Sequence, residues 1–214
     1  MTATSGDDDL LEVTSADELR ELLGEVGSRS VTKEWPSLHP YHRSWIENAP
    51  FFVLATACVD GSCDASPKGD PAGSVLVLND RTIVLPERPG NRRADGYLNV
   101  LTNPHVGLLF VVPGRGETLR VNGRARIVRD APYFDRLVVR GHRPSLALHV
   151  DIEQVFFHCS KAFKRAGLWD PSTWGDPAEL PGPAALSKDV AGATASMAEL
   201  EAHYGPSYEA RLYG

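Results

Sequence analysis

The sequence alternates between hydrophobic and polar residues in several segments, and this pattern predicts antiparallel β-strands. Residues 118–128, TLRVNGRARIV, place apolar side chains at alternate positions, as a strand with one face in a core does, and Gly123 marks an expected bulge. Further β-rich segments are FFVLATA (51–57), SVLVL (74–78), TIVLP (82–86), HVGLLFVV (105–112) and SLALHVDIEQVFFH (145–158). Turn signals stand at Asp60-Gly61, Asn79-Asp80 and Pro113-Gly114. Because closure removes exposed strand edges, the pattern predicts a mainly β protein: a small antiparallel barrel with flanking helices.

Two helices are predicted before the first strand. Ser15 and Glu18 form a capping-box pattern that opens a short amphipathic helix ending at Gly24. The second helix is predicted from His39 to Asn48, because its apolar residues recur at helical spacing. Pro50 ends this helix, since proline cannot continue the hydrogen-bond ladder.

The helix predicted after the TIVLP strand bears directly on function. It extends from Asn91 to Thr102 and places Arg92 and Arg93 in its first turn. Arginine in a first turn is unfavourable for the helix dipole, so this placement indicates another use for the two cations. Shorter helices are predicted from Asp130, with Pro132 at the start, to Arg140, and from Ser160 to Lys164.

Length and composition fit one globular domain with appendages. The 214 residues are 42% hydrophobic and 23% charged, so the chain can bury a core without disulfides or metals. We predict a flexible acidic leader at residues 1–14, a domain at 15–170 and a wrapping tail with short helices at 171–214. The first ten residues lack the basic start and apolar run of a secretory signal, and no long apolar run predicts a membrane span, so a cytoplasmic location is expected. The three cysteines, Cys58, Cys63 and Cys159, form no CxxC pair and are expected to be thiols.

Charge is distributed unevenly along the chain. Residues 81–143 contain twelve arginines, no lysine and five acidic residues, a net charge of +7, whereas the remainder carries −13. Nucleic-acid binders are usually basic over a whole face and seldom have an isoelectric point near 5.6. The basic segment therefore suits a small anion better than a nucleic acid, and the alternative is that its arginines lie on solvated strand faces.

The sequence lacks convincing motifs for other chemistries. It contains no GxSxG elbow, and the HxxH pair of His39 and His42 has no carboxylate or cysteine partner nearby. Gly114-Arg115-Gly116 resembles the start of a dinucleotide fingerprint, but it joins two antiparallel strands and no helix follows. No catalytic or metal-ligating residue is assigned.

An anion site is the hypothesis that remains. Unpaired amides at a helix start attract anions, and Arg92 and Arg93 add charge-assisted hydrogen bonds to a phosphate at the predicted start, Asn91 to Ala94. The alternative is that Asn91 is an ordinary N-cap and that both arginines are solvent-exposed.

Several segments, in this order, are similar to those of a known family. The most specific are SPKGDPAG (66–73), DRTIVLPERPGNRR (80–93) and HCSKAFKRAGLW (158–169). Their order and spacing resemble the pyridoxamine 5'-phosphate oxidase-like split barrels, and especially a bacterial branch of FMN-dependent proteins, over about residues 15–174. The resemblance implies an antiparallel split β-barrel of the FMN-binding type, and a homodimer that holds FMN between its subunits.

The resemblance also implies which residues contact FMN. Ser66 and Lys68 would lie on the second strand, Leu85 and Pro86 beside the ring, and Asn91, Arg92 and Arg93 at the phosphate. Thr118 and Arg120 match the strand that approaches the flavin, while Lys161, Arg165 and Trp169 would come across the interface. A homodimer is also favoured because the apolar residues around Phe51, Phe110 and Phe156 exceed what one small core requires.

The expected function is that of an FMN-dependent oxidoreductase transferring hydride through flavin N5 to or from an unidentified small molecule. The alternative is a flavin- or haem-binding protein on the same fold without turnover. Vitamin B6 oxidation is not expected, because the RxxLLK strand of true pyridoxamine phosphate oxidases is replaced by SVLVLN at 74–79. An enzyme acting on pyridoxal phosphate would also need a second phosphate site, which the sequence does not reveal.

Overall fold

The computed structural model describes residues 10–27 and 32–213, and the chain divides into two compact units. The first unit, residues 1–34, contains helix α1, Ala16–Leu23. Ser15 Oγ accepts a hydrogen bond from the Glu18 amide at 3.1 Å, and Glu18 Oε2 accepts one from the Thr14 amide at 3.1 Å. The predicted cap at Ser15 is confirmed. Residues 1–9 of the predicted acidic leader lie outside the described residues.

The second unit, residues 35–214, is built around an antiparallel sheet, which confirms the predicted fold class. Within the described residues its strands are β1 (Phe51–Ala57), β2 (Cys63–Gly69), β3 (Leu76–Asn79), β4 (Thr82–Pro86), β5 (His105–Val111), β6 (Thr118–Val128) and β7 (Ala147–His158). Their spatial order is β2-β1-β5-β6-β7-β4-β3. Strands β2 and β3 are therefore the two ends of the sheet.

Helices flank this sheet, and further helices follow strand β7 in the chain. They are α2 (Pro40–Asn48), α3 (Asp95–Thr102), α4 (Lys161–Arg165), α5 (Pro183–Ala185) and α6 (Met197–His203). Short 3-10 segments lie at Phe134–Leu137, Pro171–Thr173, Pro177–Glu179 and Pro206–Arg211, and a π-helical turn lies at Leu186–Val190. In the described ranges, no helix has both the length and the hydrophobicity that a membrane span needs.

The HxxH pair caps helix α2. The His39 side chain accepts a hydrogen bond from the Tyr41 amide at 3.2 Å, and the His39 amide donates to His42 Nδ1 at 3.1 Å. The two rings therefore satisfy backbone donors at the helix start, which are otherwise left without partners.

The helix predicted from Asp130 to Arg140 is wrong in extent. Only Phe134–Leu137 is helical, and the Asp130 carboxylate accepts hydrogen bonds from the Ala131 amide and from Arg143. The chain then reverses, because Val139 and His142 exchange two backbone hydrogen bonds across a two-residue turn. A turn of this kind ends any helix that would continue through it.

One main core lies beneath the sheet. Strand β1 buries alternate residues, and β5 does the same, so the period-two pattern of the sequence is confirmed. Ile46 of α2 and Val100 of α3 pack into the same cluster. Phe110 and Phe156 are also buried within this chain, whereas Phe51 is 38% exposed. The burial of Phe110 and Phe156 removes two of the three aromatic residues that favoured a dimer on sequence grounds.

The predicted bulge is present in strand β6. Its pairing with β7 shifts register between Asn122 and Gly123. A Cβ atom at Gly123 would lie 2.2 Å from the Asp151 carbonyl oxygen, so the two strands approach too closely there for any side chain. The bulge confirms the interpretation of this glycine.

Two ion pairs connect end strand β2 and its following loop to the segment after β4. Lys68 Nζ lies 3.0 Å from Glu87 Oε2, and Arg88 Nε lies 2.6 Å from Asp70 Oδ2. Because β2 and β4 are far apart in the strand order, these contacts require the sheet to curl around its core. The curvature places the two segments on opposite sides of a cavity.

Candidate functional site

The cavity between these segments has a volume of about 600 Å³, within the usual range for small-molecule sites. One wall is strand β2 with its following loop, and the other runs from Pro86 to Tyr97. Phe52 and Leu54 of strand β1 contribute apolar surface. Both walls therefore come from segments that the sequence singled out.

Six of the predicted site residues line this one cavity. They are Ser66, Lys68, Pro86, Asn91, Arg92 and Arg93. Leu85, which was expected beside the cofactor ring, is 3% exposed and packs in the core instead. The alternation of side chains along β4 accounts for this, since neighbouring residues of a strand point to opposite faces.

The predicted start of the functional helix is wrong by four residues. Helix α3 begins at Asp95, and Asn91 accepts a hydrogen bond from the Arg93 amide at 3.0 Å in a turn of its own. Arg92 and Ala94 have φ angles of 61° and 58°, in the left-handed region that ends or precedes a helix. Asn91, Arg92 and Arg93 therefore form a loop before the helix. The helix start, Ala94 to Tyr97, nevertheless lines the cavity.

The two loop arginines differ in their pairing. Arg93 Nε lies 2.7 Å from Asp95 Oδ2, with the two side chains 72% and 42% exposed. This hydrogen bond raises the pKa of Arg93. Arg92 is exposed and makes no ion pair with any described residue. At this loop, an anion would meet Arg92 directly, whereas Arg93 is held by a nearby carboxylate.

Glu87 is a cavity residue that the sequence did not single out. Its Oε2 accepts hydrogen bonds from Tyr97 Oη and Lys68 Nζ, and Lys68 Nζ lies 5.3 Å from the centre of the Tyr97 ring. Burial raises the pKa of Tyr97, and the Glu87 charge raises it further, so the hydroxyl remains a donor. These three side chains form one hydrogen-bonded network at the cavity wall. Its contacts join residues ten and nineteen positions apart, which no local pattern reveals.

The cavity is not strongly cationic overall. Its lining includes four cationic and four carboxylate side chains: Lys68, Arg88, Arg92 and Arg93, and Asp64, Asp70, Glu87 and Asp95. Asp64 accepts a hydrogen bond from Ser66 Oγ at 2.6 Å. Because these formal charges cancel, they give the cavity little preference for an anion. Selection of an anion therefore depends on the positions of the two loop arginines.

The remaining predicted residues lie outside this cavity: Thr118, Arg120, Lys161, Arg165 and Trp169. Thr118 is 5% exposed at the start of β6, and the Arg120 guanidinium stacks 4.5 Å from the Phe156 ring centre. Lys161 and Arg165 lie on α4, and Trp169 Nε1 donates to the Arg115 carbonyl at 2.7 Å. Their approach to a cofactor from a second copy of the chain stays a prediction.

A comparison with protein families gives one match. A family model described as pyridoxamine 5'-phosphate oxidase matches residues 38–159, more than half of the chain. The matched range contains the whole sheet and both walls of the cavity. No curated protein sequence matches the chain.

Solved structures with similar folds cover little more than half of the chain. HupZ of Group A Streptococcus is 20% identical, covering 56% of this chain and 93% of its own, with a TM-score of 0.46. An FMN-binding protein from Syntrophomonas wolfei is 13% identical, with coverages of 55% and 88% and a TM-score of 0.41. A Clostridium acetobutylicum protein related to general stress protein 26 is 16% identical, with coverages of 55% and 85% and a TM-score of 0.43. These values are too low to identify a cofactor or a reaction.

Proposed function

Because the chain belongs to the pyridoxamine 5'-phosphate oxidase family, we propose that it binds FMN in the cavity between β2 and the segment after β4, as an oxidoreductase. One observation carries the proposal: Arg92 and Arg93 lie beside the start of α3 at a cavity of ligand size. Guanidinium groups and unpaired helix-start amides are the donors that phosphate groups prefer in proteins.

The lining of the cavity also suits the ring of a flavin. Strand β2 is at one end of the sheet, so the edge that faces away from β1 carries backbone amides and carbonyls without a strand partner among the described residues. Such groups can pair with the imide edge of a planar heterocycle. Pro67 fits this position, because proline is tolerated on end strands.

FMN, when bound, supplies hydride transfer through its N5 atom. In the proposed arrangement, the chain itself binds and orients the cofactor and sets the charge around it. Arg92 and Arg93 hold the phosphate, while Glu87 and Tyr97 keep the Lys68 ammonium at a fixed place on the wall. We therefore propose that the protein oxidises or reduces a small molecule. No side chain is assigned as an acid or a base in this reaction.

We further propose that the protein is a cytoplasmic homodimer, and the outer face of the sheet supports a dimer. The outward positions of β1 and β5 are Phe51, Val53, Ala55, Ala57, His105, Gly107, Leu109 and Val111, of which only His105 is polar. The outward face of an antiparallel sheet is normally polar. An apolar face of this kind is suited to a second copy, whose α4 would then bring Lys161, Arg165 and Trp169 toward the cofactor.

The visible spectrum and ligand calorimetry test the proposed cofactor. We expect the protein mixed with FMN to show a bound-flavin spectrum that bleaches on reduction, and to bind FMN more tightly than riboflavin or FAD. Arg93→Ala should weaken FMN binding and barely alter riboflavin binding. Arg136→Ala removes an exposed arginine of the same basic segment that does not line the cavity, and should change neither affinity.

Two results would contradict the proposal. Equal affinities for FMN and riboflavin would show that the cavity has no phosphate site at Arg92 and Arg93. A Soret band with added haem, together with no flavin binding, would support the haem-binding alternative instead.

A further inference from the structure

Tyr213 contacts the cavity wall from a distant part of the chain. Its hydroxyl donates a hydrogen bond to Asp70 Oδ1, across a sequence separation of 143 residues. Asp70 follows strand β2 and lines the cavity. A residue of the tail is therefore fastened directly to the proposed binding site.

Three further side chains surround the Tyr213 ring. The His142 ring stacks on it with centres 5.5 Å apart and planes at 28°, and the guanidinium groups of Arg140 and Arg88 lie 5.4 and 5.9 Å from its centre. Each contact is of a kind that stabilises an aromatic ring, either by stacking or by cation–π attraction. The ring thus has partners on the chain reversal at 139–142 as well as on the wall.

That chain reversal is conformationally unusual. Arg140 has a φ angle of 49° and Gly141 one of 81°, and Val139 and His142 exchange hydrogen bonds across the turn. Glycine adopts the left-handed region readily, whereas arginine does so rarely. The strained position holds Arg140 and His142 where both reach the Tyr213 ring.

Tyr213 contacts both members of an ion pair that joins the two walls. Asp70 and Arg88 are 2.6 Å apart, and their side chains are only 9% and 12% exposed. Arg88 also donates to the Leu137 carbonyl at 2.8 Å. Because Asp70 follows β2 and Arg88 follows β4, the separation of these two residues sets the width of the cavity at this point.

We propose that Tyr213 is a positioning residue that latches the Asp70–Arg88 bridge, and so holds the cavity walls together and slows ligand exchange. The effect of Tyr213 on the cavity walls does not depend on which ligand binds there. Only the identification of that ligand as FMN rests on the proposed function. The hydrogen bond to the Asp70 carboxylate raises the pKa of Tyr213, so the hydroxyl remains a donor.

Amide hydrogen exchange in the ligand-free protein tests the latch without any cofactor. Tyr213→Phe keeps the ring and removes the hydrogen bond to Asp70. The loss of one hydrogen bond to a charged, partly exposed acceptor raises the equilibrium constant for local opening of the structure about tenfold. We therefore expect about tenfold faster exchange in residues 68–74 and 86–93, with unchanged exchange in β5 and β6. Unchanged exchange in both wall segments would overturn the proposal.

Tyr208→Phe is the matched control. Tyr208 lies in the same tail, is 44% exposed and has ring contacts with His203 and Tyr204, away from the cavity. This variant should leave exchange in both wall segments as it is in the unmodified protein. Equal acceleration by Tyr208→Phe and Tyr213→Phe would show a general loosening of the tail and would also overturn the latch.

Stopped-flow release of FMN extends the test to the loaded protein. Tyr213→Phe should release FMN several-fold faster and keep the preference for FMN over riboflavin, because Arg92 and Arg93 are unchanged. Equal release rates in the unmodified protein and the variant would contradict the latch. If the unmodified protein binds no FMN, the proposed cofactor is wrong, and hydrogen exchange alone decides whether Tyr213 holds the walls.

Discussion

At the scale of single residues, Asp95 would compete with the phosphate of the proposed FMN for Arg93. The two side chains are joined at 2.7 Å but are largely exposed, and exposed ion pairs contribute little to stability. A phosphate can therefore displace Asp95 at small cost. We expect Asp95→Asn to raise the affinity for FMN several-fold and to leave the affinity for riboflavin unchanged, as measured by calorimetry.

Asp135→Asn is the control for this substitution. Asp135 pairs with Arg143 at 3.0 Å, and neither residue lines the cavity, so the affinities for both ligands should stay the same. If Asp95→Asn raised both affinities equally, Asp95 would act on the whole cavity and not on the phosphate.

His42 makes stability depend on pH. Its side chain is buried, and burial lowers its pKa, which the neighbouring His39 lowers further. A folded-state pKa below the unfolded value means that the neutral ring is stabilising, and this contribution is lost as the pH falls below 6.5 through the folded-state pKa. We expect His42→Gln, which retains an acceptor for the His39 amide, to reduce the loss of melting temperature on acidification.

Thermal unfolding over a series of pH values measures this effect. His203→Gln replaces an exposed histidine of the tail, outside the proposed dimer face, and should keep the pH dependence of the unmodified protein. Identical slopes for the unmodified protein and His42→Gln would contradict the assignment to His42.

The sequence predicted several polar residues of the cavity, but it did not predict the residues that form hydrogen bonds with them. Residue type singled out Arg92 and Arg93, because basic residues near an expected phosphate are recognisable one by one, and the family resemblance added Lys68. Glu87 and Tyr97 escaped detection, since their roles arise from contacts with each other and with a strand far along the chain. An acidic residue after a strand has no distinguishing pattern of its own.

At the scale of elements, local signals predicted strands well and helix starts less well. Alternation and turn residues are properties of neighbouring positions, so strand β1 agrees with its predicted range 51–57. The start of α3 depends on the left-handed conformations of Arg92 and Ala94, which these residue types do not signal. The helix predicted to Arg140 ends at Leu137 because Val138 is already extended, and Arg140 is left-handed in the turn that follows.

The β6 bulge provides a test at this scale. A methyl group at Gly123 would meet the Asp151 carbonyl at 2.2 Å, and relieving such an overlap typically costs about 1–3 kcal/mol. We expect Gly123→Ala to lower the free energy of unfolding by about this amount in urea denaturation. Gly69→Ala is the control, since the nearest neighbour of its Cβ atom, the Pro50 carbonyl oxygen, would lie at an ordinary 3.7 Å. Equal losses in both variants would show that the strand spacing at Gly123 is not limiting.

At the scale of the whole molecule, local sequence patterns could not predict the order of the strands in the sheet. The pairing of β4 with β7 and the approach of β2 to the segment after β4 join positions far apart in the strand order. Such contacts depend on how the sheet curls over its core. The strand pattern predicted a small antiparallel barrel and the family resemblance its split-barrel type, but neither indicated that Tyr213 reaches the wall.

The apolar outer face of strands β1 and β5 predicts the oligomeric state. We expect light scattering to give about twice the chain mass of 23.3 kDa, and Ala55→Glu to give the single-chain mass. Ala55 is exposed in the single chain, so the charge acts on association and not on folding. Leu180→Glu, at an exposed position of the tail, should remain dimeric. A single-chain mass for the unmodified protein would remove the proposed dimer.

The contact between Tyr213 and the cavity walls forms late, because Tyr213 is synthesised after both walls. The ribosome makes residues 64–70 and 86–97 well before Tyr213, and domains begin to fold while the chain is still growing. Even the last strand, ending at His158, precedes Tyr213 in the order of synthesis. If the proposed latch holds, a cofactor present during translation would meet walls that Tyr213 does not yet join. A chain that folded without the cofactor would have to admit it past a wall to which Tyr213 is already hydrogen-bonded.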